Sequence, residues 1–322
     1  TNDVFPSAAK LTAAKLLKKA IAQVERLEAA LAEKEKEFHD IIKMGRTQMQ
    51  DAVPIRLGAE FGAYRKAIKR DIVRLNTALE GMYAVNMGGT AVGTALNANP
   101  AYVEALAPEL AKITGLPLVK ADDLVDGTQN LDAYAYVSAS LKTCAISCSK
   151  MANDFRLMSS GPRCGFQEIN LPAKQNGSSI MPGKVNPTQC ESVTMVAVQV
   201  IANDTAVGMA ASQGNFELNV FMPVCIYNFL QSVRLLSDVI VSFNDNCAVG
   251  IKANREKMKH NLHNSLMLVT ALNPYIGYDN AAKTSKKAYK ENISLKEACV
   301  QLGFLTAEKF DEVIHPVADA DR

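Results

Sequence analysis

The stretch LGAEFGAYRKAIKRDIVRLNTALEGM, residues 57–82, decides the fold class of this 322-residue chain. Its apolar residues recur every three or four positions, and charged residues fill most of the positions between them. The recurring set is Leu57, Phe61, Tyr64, Ile68, Ile72, Leu75, Leu79 and Met82. This spacing predicts one amphipathic helix over the whole stretch. A helix of that length is typical of a bundle, in which the apolar face packs against neighbouring helices.

Four further segments show helical patterns. They run from about residue 14 to 38, 132 to 159, 187 to 213 and 219 to 243. The last two are almost uncharged, with no charged side chain between Glu191 and Asp204. A helix that is apolar on all sides is buried on all sides, so we expect other helices of the bundle or of further subunits to cover both. The expected fold class is all-α, with a central bundle of long helices and no β pattern longer than a few residues.

The character of the chain changes after Gly250. Lys and Arg become more frequent, and the turn-rich stretch NPYIGYDN at 273–280 precedes short helical patterns. These features predict a central helical-bundle domain over residues 1–250 and a small C-terminal helical domain over residues 251–322.

Composition and charge exclude several classes of partner. The 35 basic and 33 acidic residues are interleaved and leave a net charge of +2, which is not the pattern of a nucleic-acid-binding protein. The apolar stretch Ser192–Asn203 is short, and Leu218–Ser232 is interrupted by polar residues, so we expect no membrane span. The seven cysteines lack metal-type spacing, which indicates reduced thiols in a cytoplasmic protein.

The four histidines do not point to histidine chemistry. None lies in a Gly- and Pro-rich loop with other polar groups, so a Ser-His-Asp triad is not expected. His260 and His263 are three apart and could share a metal, but no carboxylate-rich motif accompanies them, and a surface helix is the favoured interpretation. Without a phosphate-binding, dinucleotide or zinc signature, any chemistry must use hydroxyls, amides and cations.

Three polar stretches meet that description: KMGRTQMQDAVP at 43–54, DGTQNLDAY at 126–134 and GSSIMPGKVNP at 177–187. For the first two, helix capping, for example by Thr47 or Asp51, explains the residues as well as binding does. The third stretch is more specific. Gly177 and Gly183 allow close backbone approach, and Lys184 with the free amides of the following helix attracts an anion such as a carboxylate.

This third stretch suggests proton abstraction next to a carboxylate. If Lys184 and Asn186 hold the carboxylate, the neighbouring carbon becomes acidic because its carbanion spreads onto the carboxylate as an enediolate. Ser178 could then take the proton. Serine is a very weak base, so cations and amide donors would have to stabilise its oxyanion in a closed site.

On these residues the chain resembles the aspartase/fumarase superfamily, whose signature GSSIMPGKVNP it matches without a change. The similarity continues through TNDVFPSA, GGTAVGT and GNFELNVF to NSLMLVTALNPYIGYD. The resemblance implies a homotetramer with a central helical bundle, active sites built from three subunits, a dicarboxylate substrate and no cofactor or metal. Family members also carry an N-terminal domain before the point that matches Thr1, so this chain is expected to lack one wall of each site.

The resemblance also implies roles for individual residues. Ser178 matches the catalytic base, and Lys184 matches a residue of the substrate carboxylate site. The implied substrate-binding residues are Thr1, Asn2, Thr47, Gln48, Lys184 and Asn186, with Ser179 and Glu191 in support.

Two activities within the family remain open, and the sequence favours the first. Fumarases typically read GRTH at the second motif, whereas aspartases often read GRTQ, as residues 45–48 do here, and DGTQNLDAY also resembles the aspartase version. The stretches PTQCE and SFNDNCAVGI resemble fumarases instead. We therefore expect elimination of ammonium from L-aspartate, with hydration of fumarate to malate as the alternative. A self-associating helical scaffold without activity is a third possibility.

Overall fold

The computed structural model describes residues 2–316 and 320, and long helices dominate this part of the chain. The helices are α1 (Val4–Glu37), α2 (Leu57–Glu80), α3 (Pro100–Thr114), α4 (Leu124–Gln129), α5 (Asp132–Met158), α6 (Thr188–Ala211), α7 (Met222–Asn246), α8 (Arg255–Asn264), α9 (Asn273–Ile276), α10 (Tyr278–Glu291), α11 (Leu295–Gln301) and α12 (Ala307–Val313). The strands are β1 (Ile42–Thr47), β2 (Gln50–Arg56), β3 (Ala84–Val85), β4 (Val119–Lys120), β5 (Ile169–Asn170) and β6 (Lys252–Ala253). The expected all-α fold class is confirmed.

The chain divides into two compact units, and each is discontinuous in sequence. The first contains Thr1–Ala30, Tyr64–Arg156 and Leu171–Gly250, and the second contains Leu31–Ala63, Leu157–Asn170 and Ile251–Arg322. The sequence pattern placed a boundary after Gly250, where the first unit also ends. It did not indicate that residues 31–63 and 157–170 group with the C-terminal residues. The predicted domains therefore stay a prediction.

The first unit is built on the apolar helix faces that the sequence pattern indicates. Leu17, Val24 and Leu27 of α1 are fully buried, as are Ile68 and Leu75 of α2. Their spacing of three or seven places each set on one side of its helix, and burial of that side holds the unit together.

Helices α6 and α7 pack against each other within the first unit. Their interface includes one buried amide, because Asn203 donates hydrogen bonds from Nδ2 to Gln231 Oε1 at 2.9 Å and to Ser232 Oγ at 3.0 Å. Pro223 lies in the first turn of α7, where it removes no helical hydrogen bond. Both helices follow the sequence prediction to within a few residues.

Helix α6 and the segment Met222–Gly250 have the length and hydropathy of helices that cross a membrane, judged by these two properties alone. A buried core helix of a water-soluble protein has the same properties. The stretches Ser192–Asn203 and Leu218–Ser232, from which no membrane span was expected, are shorter than the 18-residue apolar windows of these helices. The expectation of no membrane span stays a prediction.

The second unit surrounds its own apolar core. The core residues are Met44, Leu262, Leu268, Leu272, Ala288, Leu295, Ala298, Cys299, Phe310 and Val313. Strand β1 supplies Met44, and helices α8 and α10–α12 and the 3₁₀ segment Leu266–Leu272 supply the rest. Ser294 and Glu297 form a reciprocal capping box that starts α11. In the same unit β5 pairs antiparallel with β6.

The antiparallel hairpin β1–β2 corrects the sequence analysis at one point. Helix capping by Thr47 or Asp51 was one of the two interpretations left open for the stretch KMGRTQMQDAVP, and no β pattern was expected to exceed a few residues. Instead β1 has six residues and β2 has seven. Three consecutive residues of β1, Lys43 to Gly45, are buried, so the strand lacks the alternation of buried and exposed residues by which a strand is recognised in a sequence.

The seven cysteines are free, and all except Cys164 are buried. Burial raises the pKa of the Cys225 thiol to about 11. A hydrogen bond with Cys190 and burial raise the pKa of the Cys247 thiol further. The raised pKa values of Cys225 and Cys247 favour protonated, less reactive thiols that fill apolar space.

Candidate active site

The signature stretch, residues 177–187, forms a loop closed at its neck by two hydrogen bonds. The Gly177 amide donates to the Lys184 carbonyl at 2.7 Å, and Asn186 Nδ2 donates to the Gly177 carbonyl at 2.9 Å. A Cβ atom on residue 177 would lie 2.6 Å from the Asn186 amide nitrogen, so only glycine fits. These two hydrogen bonds join the ends of the loop immediately before α6 begins.

Ser178 lies at the start of this loop with its hydroxyl oxygen facing two backbone donors. Its Oγ accepts hydrogen bonds from the amides of Ile180 at 3.2 Å and Met181 at 3.0 Å. Two amides directed at one oxygen stabilise negative charge on that oxygen. The loop therefore supplies one of the conditions that a serine base requires.

Lys184 adds a positive charge on the same loop. Its side chain is exposed and forms no ion pair with any residue in the described part of the chain. The following helix α6 starts after Pro187, which offers no side-chain cap to the first amides of the helix. A cation close in sequence to a helix N-terminus that lacks a side-chain cap favours binding of a carboxylate.

The supporting residues differ in their surroundings. Ser179 is exposed, and Glu191 lies in the first turn of α6, 3.9 Å from Arg156 Nη2. Three apolar side chains of the loop are also exposed, namely Ile180, Met181 and Val185, of which Ile180 is 86% exposed. A loop with this much exposed apolar surface is not covered within the chain itself.

The N-terminal Thr-Asn pair is described only at Asn2, because Thr1 lies outside the described residues. Asn2 Nδ2 donates to the Ala91 carbonyl at 2.6 Å, and the Asn2 carbonyl accepts from Asn86 Nδ2 at 2.7 Å. The next residue, Asp3, accepts hydrogen bonds from the amides of Gly88 and Thr90 at 3.0 and 3.3 Å. The glycine-rich loop NMGGTAVGT therefore holds the N-terminal segment in place.

Sequence reasoning missed Asp3 and Asn86 as parts of this arrangement. The glycines of residues 86–94 were a usable signal, because glycine permits the close approach of two backbones. At Gly93 a Cβ atom would lie 2.3 Å from the Val125 amide nitrogen.

Thr47 and Gln48 lie at the tip of the β1–β2 hairpin, in the second unit. Thr47 pairs with Gln50, so Gln48 and Met49 form a two-residue turn. Both turn residues have positive φ, 49° for Gln48 and 68° for Met49. Residues other than Gly and Asn adopt this backbone conformation with strain. Thr47 and Gln48 are exposed.

The first unit brings together the signature loop residues Ser178, Lys184 and Asn186. Thr47 and Gln48 belong to the second unit. The roles implied for all of these residues, and for Thr1 and Asn2, stay predictions.

His260 and His263 lie on α8, as the sequence analysis expected. His263 Nδ1 is 2.7 Å from the Lys259 carbonyl, which occupies one ring nitrogen. Within residues 2–316 and 320 no group of three or more His, Cys, Asp or Glu side chains is arranged to hold a metal ion.

Two family models match the chain. One, described as a lyase, matches residues 1–202, and the other, described as the fumarase C C-terminus, matches residues 268–318. Among curated proteins, fumarate hydratase class II of Neisseria meningitidis is 52% identical over 317 residues, 98% of this chain and 69% of the relative. Aspartate ammonia-lyase of Bacillus subtilis is 50% identical over 316 residues, 98% of this chain and 66% of the relative. This chain spans about two thirds of their length.

Solved structures share the fold. A class II fumarase from Schistosoma mansoni matches with a TM-score of 0.95 and 39% identity, over 99% of this chain and 70% of that chain. A cobalt-bound fumarate lyase:delta crystallin from Brucella melitensis matches with a TM-score of 0.94 and 43% identity, over 99% of this chain and 69% of that chain.

Proposed function

Because this chain belongs to the aspartase/fumarase superfamily of lyases, we propose that the protein eliminates ammonia from L-aspartate to give fumarate. The observation that carries the proposal is the position of Ser178 Oγ, which accepts two amide hydrogen bonds in a loop that also bears Lys184. This combination suits abstraction of a proton beside a carboxylate.

The reaction proceeds in two steps. The Ser178 oxyanion takes a proton from the β-carbon of aspartate, and the electron pair of that C–H bond moves onto the β-carboxylate, which becomes a dianionic enediolate. Lys184 and Asn186 hold this carboxylate and stabilise the added charge. The electron pair then returns to form the carbon–carbon double bond, the C–N bond breaks, and its electrons leave with ammonia.

Gln48 favours aspartate over malate as the substrate, because the two leaving groups differ in whether they must be protonated. The substrate nitrogen is already an ammonium group, so it leaves as neutral ammonia without a further proton. The hydroxyl group of malate is a poor leaving group and needs a general acid. An amide side chain such as that of Gln48 cannot donate a proton as an imidazolium can, whereas many fumarases have histidine at this position.

Fumarate hydration is the second candidate. It is favoured by the match of residues 268–318 to the fumarase C C-terminus and by relatives named fumarate hydratase at 50 to 52% identity.

The test compares L-aspartate and L-malate as substrates of one preparation, with fumarate followed by its ultraviolet absorbance. Faster turnover of aspartate supports the proposal, and faster turnover of malate assigns the protein to fumarate hydration. No fumarate from either substrate would leave a helical scaffold as the function.

The Gln48→His variant sharpens this comparison. It supplies an imidazole at the proposed leaving-group position, so the ratio of malate to aspartate turnover should rise by about tenfold or more. Gln48→Asn keeps an amide and serves as the matched control. An unchanged ratio in Gln48→His would show that residue 48 does not decide between aspartate and malate.

We also place the working enzyme in a homotetramer with sites shared between subunits. The signature loop and α6 support this, since Met195 and Val198 are each 70% exposed on a helix with few charges. An apolar surface of this kind is typical of a subunit interface.

The seven free thiols favour a reducing compartment such as the cytoplasm.

A further inference from the structure

The second unit contains a buried carboxylate that the proposed reaction does not use. Glu168 is fully buried, and its two oxygens lie 2.8 Å from Lys43 Nζ and 2.9 Å from Arg46 Nη2. Lys43 also lies 2.9 Å from Glu60. A buried ion pair contributes little net stability, because removing the charges from water costs about as much as their attraction returns. Such a pair is often retained because it selects one geometry.

Lys43 and Arg46, the two cations that contact Glu168, both lie on strand β1. Two side chains at this spacing on a regular strand would not reach the same carboxylate. Lys43 and Arg46 are three residues apart, so a regular strand would direct them to opposite faces. The ladder is irregular between Met44 and Arg46, where β2 has one residue more than β1. A bulge of this kind, with the extra residue on β2, increases the local twist of the strand pair. Gly45 permits it, since a Cβ there would lie 2.7 Å from the Val53 carbonyl oxygen.

Both backbone groups of Glu168, its amide and its carbonyl, are hydrogen-bonded. Its amide donates to the Met158 carbonyl at 2.8 Å, and its carbonyl accepts from the Asn254 amide at 2.8 Å. The Arg46 guanidinium also lies over the Phe166 ring, 4.5 Å from the ring centroid. Arg46 is therefore held by a planar ring and a rigidly placed carboxylate, in a geometry suited to its planar fork of donors.

Arg46 immediately precedes the turn that carries Thr47 and Gln48. That turn is strained, with both Gln48 and Met49 at positive φ, and strained turns persist only where the surroundings hold them. The anchored Arg46, two residues before Gln48, is one such restraint, and Asp51, which accepts a hydrogen bond from Ser265 Oγ at 3.0 Å, is another.

We propose that Glu168 is a positioning residue, which fixes Arg46 and thereby sets the orientation of Thr47 and Gln48 toward the substrate. The proposal rests on the proposed function, because it takes Thr47 and Gln48 as substrate-binding residues. Glu168 itself does not touch the substrate.

The test uses the Glu168→Gln and Lys43→Gln variants of the full protein. Each leaves a buried charge without one partner, so both should lower the thermal unfolding temperature. Only Glu168→Gln removes the carboxylate 2.9 Å from Arg46, the closer of its two acidic partners, while Asp51 remains 3.9 Å from Arg46 Nε. It should reduce kcat/KM by about a hundredfold, mainly through a higher KM, since small displacements of binding groups have effects of this size. Lys43→Gln should leave KM within about threefold of its original value.

A third variant guards against failure of Glu168→Gln to fold. Arg46→Lys keeps a positive charge next to Glu168 but loses the planar fork, so it should retain the fold and still raise KM. Equal increases of KM in Lys43→Gln and Glu168→Gln, or an unchanged KM in Arg46→Lys, would overturn the proposal.

Hydrogen–deuterium exchange separates this proposal from the proposed function. Amides of the hairpin, residues 43–56, should exchange faster in Arg46→Lys than in the unsubstituted protein, whichever substrate is turned over. Unchanged exchange would refute the positioning role even in an active enzyme. Faster exchange in a protein that makes no fumarate would support Glu168 as the hairpin's anchor and reject only the proposed activity.

Discussion

At the scale of single residues, the chemistry depends on the environment of one hydroxyl group. A serine side chain is protonated at neutral pH, and Ser178 differs from an ordinary serine because two amides donate to its Oγ. Lys184 on the same loop adds a charge of the required sign. These groups lower the free energy of the oxyanion relative to the hydroxyl, which is the condition for proton abstraction.

Ser178→Ala removes the proposed base and with it the acceptor of the Ile180 and Met181 amide hydrogen bonds. The rate of fumarate formation should fall by about a thousandfold or more, because general-base catalysis contributes factors of this order. Ser179→Ala is the matched control and should lose much less activity. Retention of a tenth of the original rate in Ser178→Ala, measured by initial rates, would exclude it as the base.

Glu168 provides a prediction about pH. Burial alone would raise the pKa of this carboxyl, but Arg46 and Lys43 outweigh burial and hold the pKa below its usual range. A carboxyl with a lowered pKa stabilises the folded state at pH values above its unfolded pKa, about 4.3. That contribution disappears as the pH falls through the lowered value.

Glu168→Gln should therefore show a weaker loss of stability than the unsubstituted protein as the pH falls from about 5 to 3. At neutral pH the variant should be less stable by about 3 kcal/mol, because the buried Lys43 and the partly buried Arg46 each lose a partner. Urea unfolding at several pH values measures both effects. Parallel stability curves for the two proteins would contradict the assignment.

At the scale of elements, the hairpin β1–β2 differs most from what the sequence pattern indicated. Two-residue hairpin turns with both φ values positive usually carry Asn-Gly, which makes them recognisable. Here the turn residues are Gln48 and Met49, and neither favours that conformation. The strands form because Met44 joins the core of the second unit and the ion pairs of Lys43 and Arg46 hold the strand on one side.

Met49→Gly tests the strain in this turn. Glycine adopts φ of 68° without the cost of a Cβ atom, so the free energy of unfolding should rise by up to about 1 kcal/mol. Met49 is half exposed, and its replacement should cost little in lost packing. Chemical denaturation measures the difference, and a clear loss of stability would show that the turn is not strained.

At the scale of the whole molecule, the apolar surface of α6 and the exposed signature loop are the features that a single chain does not explain. Within the apolar windows of α6 and Met222–Gly250, only 33% and 39% of residues are buried. Helices of this composition are stable in water when other subunits cover them. The proposed tetramer meets this requirement.

Mixing two inactive variants tests shared sites. Ser178→Ala and Thr47→Ala each remove one proposed site residue, and each homomer should be inactive. If one site takes these residues from different subunits, random reassociation gives about a quarter of the sites both original residues, and activity returns to about that fraction. Activity that stays at the level of the separate variants, with mixed oligomers demonstrated by mass spectrometry, would contradict shared sites.

The sequence alone determined the all-α class, the long helices and the signature loop. Each of these depends on local information: the three- and four-residue spacing of apolar side chains along α1, α2 and α5, and consecutive residues such as Gly177 to Pro187. Physical chemistry acts there between near neighbours, so the pattern is visible in the order of residues.

Only the tertiary structure decided the hairpin, the support of Asn2 by the glycine-rich loop, and the binding of Arg46 by Glu168. Each of these depends on partners far apart in sequence, such as Asn86 with Asn2 and Glu168 with Lys43. No local spacing encodes such a pair, because its energy depends on burial and distance after the chain has folded. The identity of a residue shows that it can carry a charge, and its surroundings decide what that charge does.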